Sequence, residues 1–369
     1  MTERERILAI LNGRQPDQLP WCADLAYWIS ALEADGAYPE AYRNTHLDDG
    51  LQKLHRDLGA GFYLQGFFPF ETTMDGIERQ EETKNGVHTT VIHTPKGDLR
   101  EVSRYSQVSY SWGVTEHFIK DIADLRILRW IYEHTAYLPA YDFAQKRYDT
   151  IGNNGVVLCY MPKSPMMELV AIQAGIENFT YMALDDPDEL EEIMDVMEQK
   201  CDEACQIVLD SPAECIMIPE NITSESVGKT FYHRYMERYH RKWTERIRRA
   251  GKHSFVHQDG TVRGLVGELS ESGFQVVEAI TPLPVGDIAI ENVASLTRDE
   301  TVIWGGIPGG FFTESISDEE FDRHVIHCIE VMTREPRYVL GVADQVVPGS
   351  LERRIRRVRE LVDQYGQYR

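Results

Sequence analysis

The chain predicts an α/β fold: a (β/α)8 TIM barrel with a β-hairpin-containing insertion after the second strand. Three observations point there. Eight short, nearly continuous apolar runs are spread along 369 residues, the pattern of strands buried on both faces of a parallel sheet. Longer stretches with helical periodicity separate them. One interval, about 71–150, breaks that rhythm with alternating runs around a turn.

Taken in order, residues 2–12 read as an amphipathic helix closed by Asn12-Gly13. The apolar runs follow at 19–23, 61–65, 156–160, 215–219, 254–257, 275–279, 301–304 and 338–342. In the insertion, two alternating runs flank Pro95-Lys96-Gly97-Asp98, as in a β-hairpin. The helices carry start signals. Asp185-Asp186-Pro187-Asp188-Glu189 offers a capping Asp, a Pro at the first helical position and acids in the first turn. Apolar residues at 190, 193, 194, 197, 201, 204, 205 and 208 then hold one face. Ser317-Asp318-Glu319-Glu320 opens another helix, on which His324 and Cys328 read as helix-face or core residues. There is no linker, low-complexity tract or internal repeat, so residues 1–369 read as one barrel domain with an insertion.

Hydrophobic content of 42% and charged content of 27% suit a soluble globular protein. The net charge of −22 argues against a duplex nucleic-acid partner, which needs a basic face. The basic run from Arg353 to Arg359 has acidic neighbours and reads as a solvated helix face. Six scattered cysteines without a CxxC pair fit reduced thiols. Cys201 and Cys205 share a helix face but lack a third ligand nearby. Neither a signal-peptide pattern nor an apolar run of membrane-spanning length is seen, so a cytoplasmic protein without a membrane partner is expected. The sequence carries no clear dimer signal, and a homodimer stays open.

In such a barrel, function gathers at the C-terminal ends of the strands. Those ends carry Asp24, then Phe67-Phe68-Pro69-Phe70, Tyr160-Met161, Glu220-Asn221, His257 with Asp259, Glu278, Gly305-Gly306 and Asp344-Gln345. His257-Gln258-Asp259-Gly260 is the most pointed of these. An imidazole and a carboxylate two residues apart, freed by a glycine at a strand end, can face one metal or one substrate. His257, Asp259, Glu278 and Asp344 are candidate ligands for a zinc ion with nitrogen and oxygen donors. His257, Asp259, Glu220 and Asp24 are candidate catalytic groups. Phe67, Phe70, Tyr160, Met161 and Asn221 are candidate substrate contacts, with Phe62, Tyr63 and Phe68 as further aromatic walls. For any single acid, a backbone hydrogen bond or helix cap is the competing explanation.

The chain also resembles the uroporphyrinogen decarboxylase superfamily. The opening Arg6-Ile7-Leu8-Ala9-Ile10-Leu11-Asn12-Gly13, with Pro16-Asp17-Gln18-Leu19-Pro20, carries the likeness. Its corrinoid methyltransferase branch is similar at Thr94-Pro95-Lys96-Gly97, His257-Gln258-Asp259-Gly260, Ala279-Ile280-Thr281-Pro282, Trp304-Gly305-Gly306-Ile307-Pro308 and Gly341-Val342-Ala343-Asp344-Gln345. The resemblance implies a barrel with its site at the strand C-termini.

Two departures from the family shape the expected chemistry. The arginines that decarboxylases offer to substrate carboxylates after the first strand are replaced by Trp21-Cys22-Ala23-Asp24, which disfavours porphyrinogen decarboxylation. In the thiol methyltransferases of the branch, zinc is held by a His-x-Cys pair and a later Cys. Here Asp259 stands at the Cys, and Ala343-Asp344 near the later one. Oxygen ligands in place of thiolates suit a harder Lewis acid and an oxygen leaving group. The expected activity is methyl transfer from a small donor, an aryl methyl ether first, to the cobalt of a corrinoid on a partner protein. The alternatives are a methylamine or betaine donor, a methylcobamide:thiol pair, a decarboxylase-like enzyme, and a non-catalytic corrinoid-handling barrel.

Overall fold

Strands and helices alternate along the chain because apolar runs and amphipathic periods alternate in the sequence. The computed structural model describes residues 1–43, 49–62 and 66–368. Eight parallel strands form one curled sheet: β1 (Trp21–Ala23), β2 (Gly61–Phe62), β3 (Leu158–Tyr160), β4 (Cys215–Ile222), β5 (His253–Gln258), β6 (Val276–Ile280), β7 (Val302–Pro308) and β8 (Tyr338–Ala343). Their order is β2-β1-β8-β7-β6-β5-β4-β3. Parallel bridges Phe62↔Gly155 and Phe67↔Cys159 link the two ends of that order. This is the TIM-type α/β architecture the sequence predicts. The last three residues of the second predicted strand, 63–65, Tyr63 among them, lie outside the described residues.

The period of two along each strand sorts the core into two bodies. Cys22, Leu158, Met217, Phe255, Val276, Trp304 and Val339 face one another inside the curl. Their neighbours Trp21, Cys159, Ile218, Val256, Val277, Ile303 and Leu340 face outward against the helices. The helix Glu3–Leu11 adds Ile7, Ile10 and Leu11 to the inner body. A Thr2/Glu5 capping box starts it. Arg4 anchors it through a two-pronged bond to Glu214 at 2.7 and 2.6 Å.

The helix Pro187–Asp210 buries the eight positions that its periodicity marked. Pro187 occupies its first turn, but Asp186, expected to cap it, makes no side-chain cap bond. Ser317 and Glu320 do form the capping box of the helix Asp318–Met332.

The insertion is richer than one hairpin. Strands Val87–Thr94 and Gly97–Ser106 pair antiparallel about Pro95-Lys96, as expected. Glu78–Lys84 and Ser111–Glu116 extend them into a four-stranded meander. Glu78–Lys84 has no apolar alternation, and Ser111–Glu116 has only Trp112 and Val114, both exposed. Glu78–Lys84 is exposed throughout, which is why the pattern hid it. A second pair, Phe70–Met74 with Thr135–Pro139, and the helix Ile122–Glu133 join the insertion to the barrel. Among the described residues, no helix is long and apolar enough to cross a membrane.

Candidate active site

The C-terminal end of β5 delivers His257, and neighbouring β6 delivers Glu278; the two are register partners. Both side chains are buried, and His257 Nδ1 lies 2.6 Å from Glu278 Oε2. The second Glu278 oxygen, Oε1, is buried without a hydrogen-bond partner among the described residues. Across the imidazole, Nε2 stands 3.6 Å from Asp344 Oδ1, just past the end of β8. Burial works against a charged imidazole here. The Glu278 carboxylate, aided by Asp344 and Asp259, outweighs it and lifts His257 to about 9. Burial, with Asp259 and Glu278 as like charges, lifts Asp344 to about 6 against the pull of His257. Three rim residues, Asn221, Ala279 and Asp344, adopt φ of 53°, 64° and 66°. Left-handed backbone at non-glycine residues is costly and tends to collect at functional sites.

His257 and Asp344 open on a cavity of about 860 Å³. Barrel residues Tyr160, Met217 and Asn221 line it together with Phe68, Phe70, Tyr132 and Tyr137. The insertion thus supplies part of the lining, Tyr132 and Tyr137 among it. Phe68 contacts Tyr160 edge-on at 5.8 Å, and Phe70 contacts Tyr137 at 5.2 Å. Gly66 permits this packing, since a Cβ there would lie 2.3 Å from the Tyr160 ring.

The remaining expected site residues are not among those lining the cavity. β4 runs three residues further than its apolar pattern suggested, so Glu220 lies within the strand. It is turned outward to His240 Nε2 at 2.7 Å and to the Ser164 N–H at 3.1 Å. It holds the loop after β3 rather than facing the cavity. Asp24 accepts from the Ala26 N–H at 2.8 Å, a local role, and also acts by charge on Tyr160 in the cavity lining. Asp259 accepts from the Gly260 N–H at 2.7 Å. It is near enough to act on His257 and Asp344 by charge only. Met161 is a core residue, and Phe67 packs on Phe143 at 4.8 Å. Phe62 is likewise buried in the core.

The four expected zinc ligands thus divide. His257 Nε2 and Asp344 are spaced much like two ligands of one tetrahedral zinc, which span roughly 3.4 Å. Glu278 sits on the other ring nitrogen, as a carboxylate that orients a histidine. No group of three or more His, Cys, Asp or Glu among the described residues is placed to hold a metal ion.

The sequence reading missed Lys163, Glu168, Tyr132 and Tyr137, all of which line the cavity. The segment Pro162-Lys163-Ser164-Pro165 directly after β3 was the available signal. Ser164 caps the helix Pro165–Glu168, with Pro165 in its first turn, and this sets Lys163 and Glu168 at the strand's C-terminal end. The tyrosines come from the insertion, whose position over the barrel mouth no local pattern reveals.

Comparison with known proteins fits this geometry. A methyltransferase from Methanosarcina mazei has the same fold, with a TM-score of 0.61 over 99% of this chain and 99% of that one, at 14% identity. A comparison with curated proteins gives no match. The uroporphyrinogen decarboxylase (URO-D) family model matches residues 130–365. That span is well over half of the chain and contains β3 to β8 with His257, Glu278 and Asp344, so the chain belongs to the uroporphyrinogen decarboxylase family.

Proposed function

We propose that this chain is a methyltransferase that takes a methyl group from an aryl methyl ether and passes it to the cobalt of a corrinoid carried by a partner protein. The observation that carries this reading is His257. Glu278 pins it through Nδ1, and the residue opens on a cavity walled by aromatic rings. Breaking the ether expels a phenolate, whose conjugate acid has a pKa of about 10. Such a group leaves readily only if its oxygen is protonated or coordinated as the bond breaks. A protonated His257 holds the needed proton at Nε2, and Glu278 stabilises the cation. General acid catalysis of this kind contributes roughly 10²–10⁴-fold.

Phe68, Phe70, Tyr137 and Tyr160 offer flat apolar walls to a ring. The corrinoid must approach the methyl from the side opposite the oxygen. Half-exposed Phe68 and Met74 among the lining residues support an opening wide enough for this. Zinc, expected from the sequence, would displace that proton from His257 Nε2, with Asp344 as the second ligand, and would then supply a Lewis acid to the ether oxygen in place of the proton. The 14%-identical methyltransferase neighbour supports the reaction class.

A betaine or methylamine donor is the second reading. It is favoured by the rings of Phe68, Phe70, Tyr132 and Tyr137 together with Glu168 and Asp344 in one cavity. Lys163 in the same wall opposes a cationic donor.

The test mixes purified protein with cobalt(I) cobalamin and guaiacol, and follows methylcobalamin and catechol. Methyl transfer that His257→Ala abolishes supports the reading. No methylcobalamin from any methoxyarene would sink it, and methylcobalamin formed from betaine alone would favour the second reading.

A further inference from the structure

The cavity has a second polar end that the proposed methyl transfer leaves unused. Lys163 donates from Nζ to the Pro219 carbonyl, and no carboxylate among the described residues pairs with it. The two acids near enough to act on it by charge are already engaged. Glu220 is bonded to His240 and Ser164, and Glu168 accepts from Gln173 Nε2 at 2.9 Å. Burial pushes Lys163 below the ordinary lysine range, partly offset by Glu220 and Glu168. It also pushes Glu168 above the usual carboxylate range. Tyr132, from the helix Ile122–Glu133, and Tyr137, from the strand Thr135–Pro139, bring two hydroxyls to the cavity lining. Neither hydroxyl bonds to a described residue.

This end is separate from the histidine end. The charges acting on His257 are Glu278, Asp344 and Asp259, and those acting on Lys163 are Glu220 and Glu168. Glu168 acts by charge on Lys163 and on both phenols, but burial favours its neutral form, so the largely desolvated ammonium keeps one carbonyl partner and no full counter-ion among the described residues. A carboxylate would accept charge-assisted bonds from it and neutral bonds from the two phenols.

We propose that Lys163, Tyr132 and Tyr137 form a specificity pole for an anionic ring substituent, so that the donors are methoxybenzoates rather than neutral methoxyarenes. This rests on the aryl-ether reading for the methyl end, but the pole itself is testable without turnover. Calorimetric titration with benzoate and with anisole, for wild type and Lys163→Met, reads it directly. Wild type should bind benzoate more tightly than anisole. Lys163→Met should weaken benzoate by roughly 10- to 100-fold and anisole by far less. Tyr137→Phe, which removes only a hydroxyl, should weaken benzoate selectively and serves if the lysine variant fails to fold.

Equal weakening of both ligands, or benzoate bound no better than anisole, overturns the pole. Benzoate bound through Lys163 with no methoxyarene demethylated leaves the pole standing and removes the methyl-transfer reading. Guaiacol demethylated without a Lys163-dependent preference for 4-methoxybenzoate removes the pole alone.

Discussion

Glu278→Gln isolates the charge that the histidine depends on. The amide oxygen can still accept from His257 Nδ1 across the 2.6 Å contact, so ring orientation is kept while the negative charge is lost. In the wild type, burial lowers the imidazole, and Glu278 is the largest of the opposing influences that lift it to about 9. Without that carboxylate, burial is opposed only by Asp344 and Asp259, and the residue falls back toward its ordinary 6.5. At pH 7.5 the protonated fraction then falls from nearly all toward about a tenth. If the proton at Nε2 assists departure of the phenolate, kcat/KM drops by up to about tenfold at pH 7.5. It recovers as pH is lowered toward 6, while wild type holds its rate until pH approaches 9.

The sign for stability follows from the same raised value. The histidine's contribution is complete below 6.5 and is lost as pH rises through about 9. Wild-type Tm should therefore decline across that window, and the variant's should not. The assays are initial-rate methyl transfer against pH and an NMR titration of the His257 ring. A Glu278→Gln enzyme with the wild-type rate and pH profile would refute the reasoning.

Asp344→Asn should raise Tm at pH 7.5. Asp344 is lifted from 3.8 to about 6, so its stabilising, protonated form is complete below 3.8 and lost as pH rises through 6. The variant's advantage should shrink below pH 6 in thermal melts, and Asn tolerates the left-handed backbone at this position. Met161→Ala should destabilise by about 2–5 kcal/mol in urea unfolding with KM for the donor little changed, because Met161 is fully buried in the core. Elemental analysis after zinc loading and dialysis at pH 7.5 should show no stoichiometric zinc, since His257 keeps its proton and no third ligand joins Asp344 among the described residues; one equivalent retained by wild type and lost from both His257→Ala and Asp344→Ala would put the metal in the proton's place.

Much of the fold was legible because it is written in local periodicity. Strands such as Val302–Pro308 are apolar throughout, and the helix Pro187–Asp210 repeats its buried positions at helical spacing. His257 and Asp344 were legible for a related reason. In a parallel barrel the strand ends form a rim, so finding the strands also finds the rim. The charged strand Glu78–Lys84 was not, since exposure on both faces erases the alternation.

What the sequence determined by itself was the eight-strand barrel, the rim positions of His257 and Asp344, and the hairpin at Pro95-Lys96. Only the tertiary structure decided which acids serve the histidine. Glu278 and Glu220 both lie on strands beside β5. One meets His257 Nδ1 and the other turns out to His240, because a strand's pleat sends neighbouring side chains to opposite faces and a shift of one residue exchanges them. The tertiary structure alone also laid Tyr132 and Tyr137 in the cavity wall. Contacts between residues far apart in sequence leave no local period to read.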